Sequence, residues 1–274
     1  MPKVGPDPIY FDAVGTGHAP AGPDARIACL VPSITELLCD LGLAPQLVAR
    51  TGFCIHPKAL VEAIPKVGGT KDVDIDKLRA LAPTHVIVNI DENEKPTVAA
   101  IAAFVPHVVV THPNAPLDNL ALYRLLGGIF GRDETAEKFC TALEAALGAA
   151  LGACAALPRE RVLYLIWKDP WMTVAPETYI ARTLAVVGWD TVPAAAGVRY
   201  PAVELSAAAA TADRVLLSSE PYMFREPHLH QIRAQLPGRA VSLIDGEWTS
   251  WYGSRAISGL RELAHLRETL ARSS

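Results

Sequence analysis

Short apolar runs alternate with helical segments along this sequence, and the alternation is broken once by a long helical stretch. "RIACLV" (26 to 31) is a continuous apolar run suited to a strand buried on both faces, and "PSITELLCDLGL" follows at once with helical periodicity. Ser33 and Glu36 have the spacing of a capping box, and Gly42 stands where a C-cap belongs. "VDIDKLRALAP" reads as a short helix stopped by Pro83, "HVIVNI" (85 to 90) as the next buried strand and "HVVVT" (107 to 111) as a third. Residues 117 to 130 and 133 to 156 are then helical with no strand between them. In the second, Phe139, Leu143, Leu147 and Leu151 recur at i+4 beside Ala136, Cys140 and Ala150. "RVLYLIW" (161 to 167), "RVLLSS" (214 to 219) and "AVSLID" (240 to 245) restart the alternation, and a last helix runs from about 254 to 272.

Strands alternating with helices predict parallel sheets. The expected fold is therefore two Rossmann-like α/β lobes bridged by one long α-helix: an N-terminal extension (1–25), an N-terminal lobe (26–116), a helical connector (117–157) and a C-terminal lobe (158–274). With 274 residues, half of them hydrophobic, each lobe can bury its own core. A net charge of −4 with no long basic run gives no field for nucleic acid or anionic lipid. No stretch approaches the ~18 apolar residues of a membrane span. The five cysteines show no C-x-x-C and imply neither a disulfide framework nor a zinc ribbon. The opening residues show no apolar signal segment, so a cytoplasmic location is expected, or a periplasmic one if a leader has been removed.

"RIACLVPSITELLCDLGL", "RTGFCIHP", "VGGTKDVDIDKLRALAPTHVIVN", "SSEPYMF" and "DGEWTSWYGSR" together resemble the helical-backbone, class III periplasmic binding proteins, which serve ABC importers. The resemblance is nearest to the cobalamin-binding branch and runs from about residue 9 to 270. It implies a non-enzymatic protein that needs no cofactor. Its ligand would be a corrinoid or another metal chelate, held in a cleft between the lobes at the strands' carboxyl ends.

The strand-end loops supply the candidate ligand-binding residues. They are Phe53, Cys54 and His56; Asn89, Glu92 and Asn93; Trp167, Trp171 and Met172; Arg199 and Tyr200; Glu220 and Phe224; and Asp245, Trp248, Trp251, Tyr252 and Arg255. Aromatic rings there can stack on a flat ligand while charged groups fix its polar edge, although Trp251 can equally seal the final helix onto the core. Phe53, Met172, Tyr200 and Trp248 fall where the cobalamin binders carry ligand contacts. Thr70 and Asn89 replace two aromatics of that branch and make the expected pocket more polar.

Cys54 and His56 also suit a metal. His56 can bind one already held in a macrocycle, and the alternative is a packed thiol beside a hydrogen-bonded imidazole. His228 and His230 fall in an expected surface helix. The resemblance places an importer-docking carboxylate at Asp76, whereas the matching C-lobe position is Ser206. Glu204 lies two residues away and is expected on a different helical face, so a cytosolic carrier or sensor that does not stimulate an importer is the expectation. The alternatives are a tetrapyrrole chelatase-like enzyme using His56 with Glu92 or Glu220, and a siderophore, haem or metal-ion binder.

Overall fold

The computed structural model describes residues 8–194 and 197–272. The chain divides into two compact units: residues up to Pro113 with Asp118–Thr141 and Tyr252–Ser254 form unit 1, and Asn114–Leu117, Ala142–Trp251 and the residues from Arg255 form unit 2.

Unit 1 begins with a hairpin, β1 (Tyr10–Phe11) and β2 (Gly17–His18). It continues through β3 (Ile27–Cys29), α1 (Pro32–Asp40), β4 (Leu47–Arg50), α2 (Lys58–Val61), α3 (Ile75–Ala80), β5 (His85–Asn89), α4 (Lys95–Ala102), β6 (His107–Thr111) and α5 (Asp118–Ile129). Four of these strands form one parallel sheet in the order β4-β3-β5-β6. Every residue of β3 and β5 is buried, as continuous apolar runs in a doubly covered sheet require.

Helix α1 starts differently from the sequence expectation. Val31 is the N-cap, Pro32 occupies the first turn and no side chain caps the helix, so Ser33 and Glu36 form no capping box. Its far end is as read: Gly42 takes φ +79° immediately beyond the C-cap Leu41. Residues 8–25 are integral to unit 1 rather than an appendage. Ala13 N–H donates to the Val110 carbonyl at 2.9 Å. The buried Asp12 carboxylate accepts the N–H groups of Val14 (3.0 Å), Thr16 (2.9 Å) and Val110 (3.0 Å), which ties the hairpin to β6.

The long helix α6 (Asp133–Cys154) starts in unit 1 and ends in unit 2. Its buried stripe is Ala136, Cys140, Leu143, Ala146, Ala150 and Cys154, whereas Leu151 is 50% exposed. The seam therefore shares Leu143 with the leucine series and otherwise runs through the small residues beside it, because a 3.6-residue turn drifts away from a strict i+4 series.

Unit 2 contains β7 (Glu160–Leu165), α7 (Tyr179–Val186), β8 (Trp189–Thr191), α8 (Leu205–Ala210), β9 (Arg214–Ser218), α9 (Glu226–Gln235), β10 (Ala240–Ile244), α10 (Glu247–Ser250) and α11 (Arg255–Arg272). Its sheet is also wholly parallel, in the order β10-β9-β7-β8. At the start of β7 the Glu160 carboxylate accepts hydrogen bonds from Arg214 Nε, Arg267 Nη1 and Trp189 Nε1, each at 3.1 Å. The two guanidinium groups are almost entirely buried. Glu160→Ala takes the carboxylate away from two buried cations, and urea unfolding should show a loss of about 3–5 kcal/mol. A loss under about 1 kcal/mol would show that the network is not structural.

His85 makes unit 1 sensitive to acid. Its buried ring stacks on His107 with centroids 4.6 Å apart and meets the Phe130 edge at 5.3 Å. Burial, followed by the neighbouring His107 and His18, pushes its pKa down from 6.5 to about 4. The unfolded chain therefore takes up a proton that the fold refuses, and stability present above pH 6.5 is lost as pH falls toward 4. His85→Phe should flatten this part of the thermal-stability profile. An unchanged slope between those values would contradict the assignment.

Candidate functional site

In a parallel sheet the loops leaving the strands' carboxyl ends collect the groups that can meet a ligand. In unit 1, the loop after β4 begins from Arg50, whose buried guanidinium donates to the carbonyls of Val61 (2.6 Å), Thr51 (3.1 Å) and Cys54 (3.1 Å). On this frame Phe53 is 62% exposed and His56 half-buried. Cys54 faces the interior, with its sulfur 3.1 Å from the Thr35 hydroxyl and 3.2 Å from that of Thr51. Burial raises its pKa. An enclosed thiol held between two hydroxyls is a packing group. Among the described residues, no group of three His, Cys, Asp or Glu side chains is placed to hold a metal ion.

The loop after β5 is closed by its own side chains. Asn89 Oδ1 accepts the Asp91 N–H at 2.8 Å, and Asn93 Oδ1 accepts the Asn89 N–H at 2.8 Å. Asn93 Nδ2 donates to the Thr70 carbonyl at 2.9 Å. Both asparagines are buried and brace the loop. Glu92 accepts the hydroxyl of buried Tyr252, and desolvation together with that carboxylate holds the phenol pKa well above its usual range. Gly253 follows at φ +85°, where a Cβ would sit 3.1 Å from the Ser33 carbonyl and 3.2 Å from Leu37 Cβ.

In unit 2, the loop after β7 folds back on itself through a bridge pairing Trp167 with Met172. Trp167 is 40% exposed and meets Tyr222 edge-on at 5.6 Å. Trp171 stacks on Phe224 at 6.2 Å, and Lys168 lies 5.9 Å over Trp171. Phe224, 3% exposed, belongs to the core and backs this wall. Arg199 donates to Asn114 Oδ1 at 2.8 Å and to the Glu177 carbonyl at 3.2 Å, while Tyr200 is half-buried beside it in sequence.

The loop after β10 is divided between the units: Tyr252–Ser254 belong to unit 1, and the residues on either side to unit 2. Its unit 2 charges are paired. Asp245 accepts the Ser219 hydroxyl (3.2 Å) and the Glu247 N–H (3.0 Å). Glu247 pairs with Arg255 at 2.9 Å, and Arg255 lies 5.0 Å over the Trp251 ring. Glu220 Oε2 accepts Trp251 Nε1 at 2.7 Å, while burial, Glu247 and Asp245 push the Glu220 pKa up. Trp251 is buried and serves this network, whereas Trp248 is half-buried. Gly246 is required by close approach, since a Cβ there would lie 2.5 Å from Ser218 Oγ and 2.8 Å from Glu220 N.

Two positions differ from their sequence reading. His230 is solvated, but His228 is half-buried and its ring is hydrogen-bonded to Tyr222, because α9 starts close enough to that loop to bring them together. Glu204 is the N-cap of α8, its carboxylate folded onto the N–H groups of Ser206 (3.0 Å) and Ala207 (2.6 Å). Asp74 caps α3 in the same way, so Asp76 and Ser206 are equivalent second residues of their helices. Asp76 is 94% exposed.

Comparison with known proteins gives the site its context. The model of the periplasmic binding protein family matches residues 27–237. The vitamin B12-binding protein BtuF of Vibrio cholerae superposes with a TM-score of 0.79 at 17% identity, covering 92% of this chain and 99% of that one. The periplasmic heme-binding protein RhuT of Roseiflexus sp. RS-1 gives 0.74 at 22% identity, covering 90% and 99%. A periplasmic heme-binding protein of Pseudomonas aeruginosa gives 0.77 at 20%, covering 90% and 93%. No curated protein sequence matches the chain. The two parallel-sheet units joined by one long helix and the family match over most of the sequence agree: this chain belongs to the periplasmic binding protein family, whose members are ligand-binding proteins rather than enzymes.

Proposed function

We propose that this protein binds a metal-chelate ligand of the corrinoid or haem class at its strand-end loops. The observation that carries this reading is the aromatic wall of unit 2, where Trp167 stands 40% exposed on Tyr222 and Trp171 lies on Phe224. Large rings left open to solvent at strand ends suit a flat, largely apolar ligand. Phe53 in unit 1 is exposed in the same way. The solved relatives named for vitamin B12 and heme support the class of ligand. His56 is the candidate axial group for the ligand's metal, since one imidazole suffices there. A chelatase reading loses support, because Glu92 and Glu220, its proton-transfer candidates, already accept hydrogen bonds from Tyr252 and Trp251.

The ligand is passed on without strong docking to an importer. Asp76 offers one exposed carboxylate, its counterpart is Ser206, and the nearby Glu204 is committed to its helix. A single rim charge gives weak, poorly oriented association. ATPase stimulation of a cobalamin-type importer by the ligand-loaded protein would overturn this part of the proposal; none is expected.

Titration with vitamin B12 and with haem, followed by tryptophan fluorescence, tests the ligand class. At least one should quench, and Trp167→Ala should weaken its binding by about 1–3 kcal/mol. Binding of neither by the wild type, or equal binding by Trp167→Ala, would overturn the reading.

A further inference from the structure

The proton positions around Tyr222 are fixed by its neighbours. The backbone N–H of Arg225 donates to His228 Nδ1 at 3.0 Å. A peptide N–H can only donate, so Nδ1 is the unprotonated nitrogen and the neutral imidazole carries its hydrogen on Nε2. That nitrogen lies 3.2 Å from the Tyr222 hydroxyl. The phenol oxygen therefore accepts from His228, and its own hydrogen must turn away from the imidazole.

Tyr222 has little freedom to do otherwise. Its N–H donates to the Ile166 carbonyl at 3.2 Å, at the end of β7. Its ring is held by Trp167, Phe224 and His228 at centroid distances of 5.6, 4.7 and 5.5 Å. Among the described residues, His228 is the hydrogen-bonding partner of this hydroxyl, and the Tyr222 hydrogen has no protein acceptor there. The aromatic wall thus carries one oriented O–H, near the Lys168 ammonium, which lies over Trp171 and donates to Gln231 Oε1 at 3.1 Å.

We propose that Tyr222 is a specificity-determining residue that donates its hydroxyl hydrogen to an oxygen on the ligand's periphery, and that His228 is a positioning residue that sets this direction. The inference rests on the metal-chelate reading and narrows it: the chelate carries a carboxylate or amide oxygen at the edge lying against Trp167. A ligand without such an acceptor leaves a donor unsatisfied at an apolar surface and is rejected.

The test uses fluorescence titration of the full chain with vitamin B12, which carries amide oxygens, and haem, which carries carboxylates. Tyr222→Phe keeps the ring and removes the donor. His228→Asn keeps an acceptor oxygen for the Arg225 N–H, so the start of α9 is preserved, but it has no group that reaches Tyr222. For whichever probe the wild type binds, Tyr222→Phe should weaken binding about 5- to 30-fold. His228→Asn should lose a similar factor, and the double variant should lose no more than either single one. Nitrogen-15 NMR of the free wild type should place the His228 proton on Nε2. A proton on Nδ1, or Tyr222→Phe binding as tightly as a wild type that does bind, overturns this inference alone. Binding of neither probe by the wild type overturns the ligand reading and this inference with it.

Discussion

The two four-stranded sheets are wholly parallel, with their central strands buried, and this constraint governs where polar groups can go in each unit. Strand interiors must be apolar, so charge is driven to the two ends of each sheet. At the entry of β7, the Glu160 carboxylate accepts from two buried guanidinium groups and a buried indole. At the carboxyl ends, the loops must satisfy their own backbone before they can present anything to a ligand.

The carboxyl-end loops meet that demand with short side chains and paired charges. Asn89 and Asn93 brace one loop, Arg50 another, and the Glu247–Arg255 pair with Glu220 and Trp251 a third. Several residues that look like ligand contacts by type are consumed by this work. What remains exposed is a small set of rings, chiefly Phe53 and Trp167, on a frame that is fixed beforehand. A preformed aromatic surface spends little conformational entropy on binding.

Much of this was legible in the sequence. Apolar runs located β3, β5, β6, β7, β9 and β10, and the helical stretches around 117–130 and 133–156 emerged as α5 and α6. The unread strands were β4, β8 and the β1–β2 hairpin, which are two to four residues long. "LVAR" ends in an arginine whose buried guanidinium is satisfied by the carbonyls of Thr51, Cys54 and Val61 in the segment that follows, and no periodicity signals that. Strand-end loops were identifiable because they follow the strands. Which side chains turn inward was not, because that depends on partners far away in sequence: Glu220 with Trp251, Asn93 with Thr70, and Tyr252 with Glu92. The role of His228 was hidden for the same reason in miniature, since the start of α9 had to be placed before its ring could be seen against Tyr222.

Carriage of a metal chelate is the property on which the proposed function stands. Native mass spectrometry of the protein purified from its own cells tests it most directly, because the retained mass identifies the ligand without choosing a probe. One retained molecule per chain is expected, with the mass and visible absorption of a corrinoid, haem or related chelate. A retained metal-free molecule, or a bare metal ion at the same stoichiometry, would contradict it.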